Sequence, residues 1–211
     1  MSPFLFKRRR RRRETLWTLL LLAAAAWQLW QHGLPPPDAP PRQGPAASAF
    51  ETLRGARLLR HGSNDGDSFR VEHGGLAHHF RLYFADCAET YLNPQNAARV
   101  RDQARAFGGL DDARTLTLGD EARQFTRALL EAGGFVIHTR WQRVYDSSRF
   151  YAFVVFADGE DLSEKLVRAG LARIHTTGAP LPDGRGVREF EARLRTLERE
   201  ARTAGRGGWR R

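Results

Sequence analysis

The chain has 211 residues, one cysteine and a formal net charge of +10. That length suits one good domain plus extensions, and a lone Cys87 excludes an intrachain disulfide and a cysteine metal site. Lys7 and Arg8–Arg13 supply seven of the positive charges, which leaves about +3 for the rest, so the high charge is weak evidence for nucleic-acid binding.

In chain order, the basic run is followed by an uncharged stretch, Thr15 to Trp30, rich in leucine and alanine. At ~1.5 Å per residue it is slightly short for a bilayer span, though Leu34 extends it. Basic residues on its N-terminal side predict a cytoplasmic N-terminus with the remainder across the membrane. Trp27 and Trp30 suit the far interface and favour an anchor. The rival is a signal segment cleaved after the small residues Ala24 to Ala26. Residues 1–34 therefore read as a basic N-terminus with an anchor or signal helix. Pro35–Pro37, Pro40 and Pro41 make residues 35–49 an extended spacer. The folded domain is expected over residues 50–211.

Ala56 to Gly62 reads as a first strand. Asp65-Gly66-Asp67-Ser68 is a turn running into the alternating Phe69-Arg70-Val71. Gly74-Gly75 signals a hairpin. A return strand from His79 to Ala85 puts Phe80, Leu82 and Phe84 on one face and Arg81 and Tyr83 on the other. It ends in Asp86, with Glu89 three residues on. Residues 94–105 look helical and read as a solvated insertion rather than a basic helix beside a groove. Glu121 to Ala132 is a helix with Ala122, Phe125, Leu129 and Ala132 in register, closed by Gly133-Gly134. Phe135–Arg143 and Arg149–Phe156 read as strands. Asp161 with Glu164 gives a capping-box start to a helix that Gly170 stops. Leu171 to His175 is the last strand. Val187, Phe190, Leu194, Leu197 and Ala201 mark a final amphipathic helix. His73, His78, His79, His138 and His175 lack metal-motif spacing. Periodicity alone gives an α+β class.

Several pieces occur in a telling order: Asp65-Gly66-Asp67-Ser68, Phe80-Arg81-Leu82, Asp86-Cys87-Ala88-Glu89, Gly119-Asp120-Glu121-Ala122, Arg149-Phe150-Tyr151-Ala152, Asp161 to Ala172, and Gly205 to Trp209. Together they resemble the thermonuclease (staphylococcal nuclease-like) family over about residues 53–209. The resemblance implies a five-stranded OB-fold barrel with about three packed helices. It implies a Ca²⁺-dependent nuclease acting on DNA, RNA or both, with Ca²⁺ held by Asp67, Asp86 and the main-chain carbonyl of Cys87. A carbonyl is indifferent to its side chain, so cysteine in place of the family's threonine need not remove that ligand. Glu89 matches the family's general base or water-positioner, and Arg81 and Arg149 match its two phosphate-clamping arginines. Planar guanidinium forks suit phosphate oxygens better than lysine does. Taken singly each residue has a plainer role: a turn aspartate, a strand end, a surface ion pair.

Departures are Ser68 for threonine, Ala88 for proline, Ser147-Ser148 for Tyr-Gly, and Thr176 and Gly178 where the type member has nucleotide-pocket tyrosines. The expectation is a nucleic-acid-cleaving monomer, membrane-anchored with its domain on the periplasmic or extracellular side, or secreted after signal cleavage. A catalytically silent OB-fold module binding nucleic acid or protein is the other reading.

Overall fold

The computed structural model describes residues 50–210. The expected hydrophobic helix and Pro-rich spacer lie outside these residues. Among them, no helix is long and apolar enough to cross a membrane.

The class is α+β, as expected. The strands are β1 Glu51–Arg54, β2 Arg57–Leu58, β3 Ser68–His73, β4 Leu76–Leu82, β5 Ala85–Cys87, β6 Phe135–Arg143, β7 Phe150–Phe156 and β8 Ala172–Ile174. The helices are α1 Ala97–Ala106, α2 Asp112–Ala132, α3 Leu162–Arg168 and α4 Val187–Thr203, with a 3₁₀ turn at Gly207–Trp209. Six strands form one sheet in the order β1-β6-β7-β4-β3-β2, and β5 pairs with β8 in a second. Only β4 and β7 run parallel in the larger sheet. The count thus exceeds the five strands and three helices expected.

Three local expectations change. The strand expected over Ala56 to Gly62 shortens to β2, and an unanticipated strand, β1, precedes it across Gly55, whose φ of 74° breaks the extended path. The return strand stops at Leu82 and does not run on to Asp86. Phe84 takes φ 62° and the Ala85 amide bonds back to the Tyr83 carbonyl at 2.7 Å. That turn swings β5 off the large sheet and onto β8, which moves Asp86 out of line with Arg81's strand. Tyr83, expected on the outer face, is fully buried and stacks between Tyr151 and Phe153.

Helix α2 begins nine residues before Glu121, at Asp112, because Asp111 caps it by accepting from the Arg114 amide at 2.7 Å. Gly119 therefore lies inside the helix. A β-carbon there would collide with the Glu89 and Ala88 carbonyl oxygens, so glycine lets that loop lie directly on α2. The capping box at Asp161 and Glu164 forms as read. Phe190, Leu194, Leu197 and Ala201 are buried along one side of α4. Phe69, Val71, Phe80 and Leu82 fill the hairpin's inner face, each worth about 1.5–3 kcal/mol of burial. Alternation then forces Ser68, Arg70, His79 and Arg81 to the other face.

Candidate active site

The Asp65–Ser68 loop is clamped from both sides. The Asp65 carboxylate accepts from the Asp67 and Ser68 amides at 3.1 and 2.6 Å, an Asx turn. Thr126 on α2 donates to the Gly66 carbonyl at 2.6 Å. A β-carbon on Gly66 would meet Ala122 and the Cys87 sulfur at 2.7 Å, so the loop packs tightly against both. Burial, and then the neighbouring Asp67, push the Asp65 carboxyl well above its ordinary range.

This loop presents Asp67 to Asp86. Arg81 joins them, with Nη1 at 3.0 Å from Asp67 Oδ1 and Nη2 at 2.6 Å from Asp86 Oδ1. The Cys87 amide donates to Asp67 Oδ2 at 2.6 Å. Asp67, Arg81 and Asp86 are each at most 6% exposed, so none is a solvated surface pair. Burial disfavours the Arg81 cation, but Asp67, Asp86 and Asp65 outweigh it and hold the proton more firmly than usual. Burial also pushes Asp86 upward; there Arg81, Arg99, Arg173 and the Gln103 amide prevail and bring it to about 2. The Cys87 thiol is pushed well up by burial and the three aspartates, so it stays protonated and is no nucleophile.

Glu89 and Arg149 join through intermediaries. Arg99 Nε lies 3.0 Å from Glu89 Oε1, and its Nη2 lies 2.7 Å from Asp86. Arg149 donates to Ser68 Oγ at 3.2 Å, and that hydroxyl donates to Asp67 Oδ1 at 3.1 Å. Asp67, Arg81, Asp86, Cys87, Glu89 and Arg149 thus form one hydrogen-bonded group. A cavity of about 360 Å³ opens over Arg81, Asp86, Arg99, Arg149 and Arg173. Tyr145, 82% exposed, stands at its mouth.

Helix α1 is the part that sequence reasoning misplaced. It is a wall of the site, not a solvated insertion. Fully buried Gln103 accepts from the Glu89 amide at 3.0 Å and donates to the Cys87 carbonyl at 2.8 Å and Asp86 Oδ2 at 3.1 Å. Asp102 holds Arg173 at 2.6 Å, and Arg173 reaches Asp86 at 2.8 Å. The signal was the spacing of Arg99, Asp102 and Gln103, which at i, i+3 and i+4 share a face.

Residues 79–211 match the family model described as staphylococcal nuclease homologue. The chain belongs to the staphylococcal nuclease homologues. This family consists of nucleases, which bind nucleic acid as substrate. The match begins at His79, so Asp67 and Ser68 lie before it. No curated protein matches the chain.

Against the nuclease family's pattern, the departures have local causes. Gly178 faces Phe84, whose ring would lie 2.6 Å from a β-carbon there, so a tyrosine has no room. Thr176, at φ 77°, meets the Tyr151 hydroxyl at 3.4 Å. Ala88 is buried beneath Gly119, where the helix contact sets the loop.

A hard dication takes carboxylate and carbonyl oxygens. Asp67, Asp86 and the Cys87 carbonyl are an all-oxygen set drawn together by shared partners, so their chemistry fits such an ion. Among the described residues no cluster of three or more His, Cys, Asp and Glu side chains is arranged for a metal. The set would therefore be two carboxylates, one carbonyl and water.

Proposed function

We propose that the protein is a metal-dependent nuclease that hydrolyses phosphodiester bonds in DNA, RNA or both. The observation that carries this reading is the single hydrogen-bonded group formed by Asp67, Arg81, Asp86, Cys87, Glu89 and Arg149, which a set of unrelated surface residues would not form. Asp67, Asp86 and the Cys87 carbonyl would hold Ca²⁺, which when bound supplies Lewis-acid polarisation of the phosphate. Arg81 and Arg149 bind and orient the phosphate and stabilise charge developing on its oxygens. Glu89, at the end of the loop resting on Gly119, takes a proton from the attacking water. Arg99 and Gln103 hold Glu89 from its side chain and its amide.

The strand order supports an OB-type barrel whose hairpin carries the site. We further propose a domain spanning residues 50–211, monomeric, held on the extracytoplasmic side by residues 1–34 or released by cleavage there. Protease added outside spheroplasts should digest the domain; protection would reject that side.

One observation favours a catalytically silent binding module instead: Gln103 and the arginines already bond the oxygens assigned to the cation. Incubation with plasmid and with RNA, in Ca²⁺ or in excess chelator, separates the readings. Cleavage only with Ca²⁺ is expected. Binding without cleavage under both conditions would mean the silent module, and cleavage undiminished in chelator would reject the metal.

A further inference from the structure

The outer face of the β3–β4 hairpin continues beyond the acidic site. Ser68 pairs across the ladder with Arg81, and Arg70 pairs with His79. Arg149 reaches this face through Ser68. Arg70 Nε lies 3.5 Å from Ser63 Oγ, which His61 Nδ1 meets at 2.7 Å. Among the described residues, neither Arg70 nor Arg149 has a carboxylate partner; both side chains reach only serine hydroxyls. His79 lies among them, and neither of its ring nitrogens has a hydrogen-bond partner or contact with solvent.

This arrangement is unfavourable by itself. A buried polar atom left without a partner costs about 1–3 kcal/mol. Two guanidiniums beside an imidazole repel any charge on it. Burial, then Arg70, Arg149 and His61, lower His79 to about 4, so the ring is neutral at pH 7. A polyanion laid along the face would offset the unpaired charge of Arg70 and Arg149. The two-residue step from Ser68 to Arg70 is about 6.6 Å along the strand, of the order of the phosphate spacing in an extended nucleic-acid strand.

We propose that this face is a phosphate track: Arg149, Arg70 and His61 hold the backbone of a single nucleic-acid strand and lead it away from the acidic site. The inference rests on the nuclease reading only for the point where the track begins. Its ligand is a strand of several phosphates, recognised by charge and spacing and not by base edges.

The test is fluorescence anisotropy with labelled oligothymidylates of two and ten nucleotides, across salt concentrations, in excess chelator so that nothing is cut. The full chain is used. Its Arg8–Arg13 run is common to every variant, so differences report the hairpin. Arg70→Gln should weaken ten-nucleotide binding about fivefold or more and reduce the salt slope by about 0.7, one phosphate contact on a single strand. Arg188→Gln removes the same charge from an exposed site on α4 and should do neither. Melting curves confirm that both variants fold. A parental slope for Arg70→Gln overturns the track, as does an equal fall for Arg188→Gln, which would be a net-charge effect. A loss confined to phosphatidylglycerol vesicles would assign the face to a membrane and overturn it too. If no variant hydrolyses anything but the Arg70→Gln slope falls, the nuclease reading fails and the track stands.

Discussion

The same two strands carry two kinds of positive charge. At one end of the hairpin Arg81 lies between Asp67 and Asp86, almost out of solvent, with Arg99 and Arg173 closing on the same aspartate. Two residues away Arg70 and His79 lie beside Arg149 with no acid among them. The first set is balanced and the second is not. Breaking a balanced buried knot destabilises the protein whatever its function, so lost activity alone would not make Arg81 catalytic. An unbalanced row has no folding rationale and points to a partner of opposite charge. The acidic end therefore needs a test in which rate and stability part company.

Arg81→Lys gives the largest separation. Lysine keeps the charge between the two aspartates but loses the fork. If Arg81 also stabilises a transition-state oxygen, single-turnover cleavage of a short oligonucleotide should fall about 10²–10³-fold, roughly 3–4 kcal/mol. Were the knot only structural, the melting temperature would drop while the rate of the folded fraction stayed near the parental value. That outcome would remove Arg81 from the catalytic group.

Gly119→Ala probes the same site from 30 residues away in sequence. A β-carbon there drives the Ala88–Glu89 loop off α2. Overpacking of this kind costs about 1–3 kcal/mol, and the displaced residue is the one expected to take the proton. Denaturant melts should show the stability loss, and cleavage should fall further than the folded fraction explains. An unchanged rate would show that Glu89's position is immaterial.

Acid titration sharpens the contrast between the two aspartates of one loop system. Asp86 lies at about 2, below its ordinary 3.8. The unfolded chain therefore takes up the proton first as pH falls. Asp86's contribution is complete above about pH 4 and is lost as pH drops through about 2. The gap corresponds to about 2 kcal/mol. Asp65 is displaced the other way, so its contribution is greatest in acid and declines as pH rises above about 4. Urea midpoints between pH 2 and 6 should flatten in Asp86→Asn. In Asp65→Asn the decline with rising pH should disappear. Identical profiles for both variants would contradict the arrangement.

These residues also mark how far the sequence could be read. Asp67, Arg81, Asp86, Glu89 and Arg149 were legible because their types and order survive any modest shift in strand ends. The α4 stripe and the Asp161 capping box were legible because each depends on local periodicity. What failed depended on contacts between distant segments. Phe84 turns the chain because its amide and carbonyl find Thr177 and His175, and no local pattern announces that. Gln103 looked like one more polar residue on a polar helix. Only the folded chain brings its amide to the Cys87 carbonyl. Gly119 lay outside the helix expected from Glu121, yet the fold places it inside α2 at a close approach to the Ala88–Glu89 loop.

Arg99 should give the smallest effect and decides where the balanced region stops. Its side chain is 41% exposed while it pairs with both Asp86 and Glu89. A half-exposed pair is screened by water, so Arg99→Gln should cost only ~0–1 kcal/mol of stability. Asp86 keeps Arg81, Arg173 and Gln103, so the knot survives. Glu89 keeps its amide bond to Gln103 and loses only the guanidinium on its carboxylate. Cleavage should therefore fall less than tenfold, with little change in melting temperature. Kinetics and melts on one preparation check both numbers. A loss approaching that of Arg81→Lys, with the fold intact, would make Arg99 a third phosphate clamp. The catalytic group would then extend onto α1.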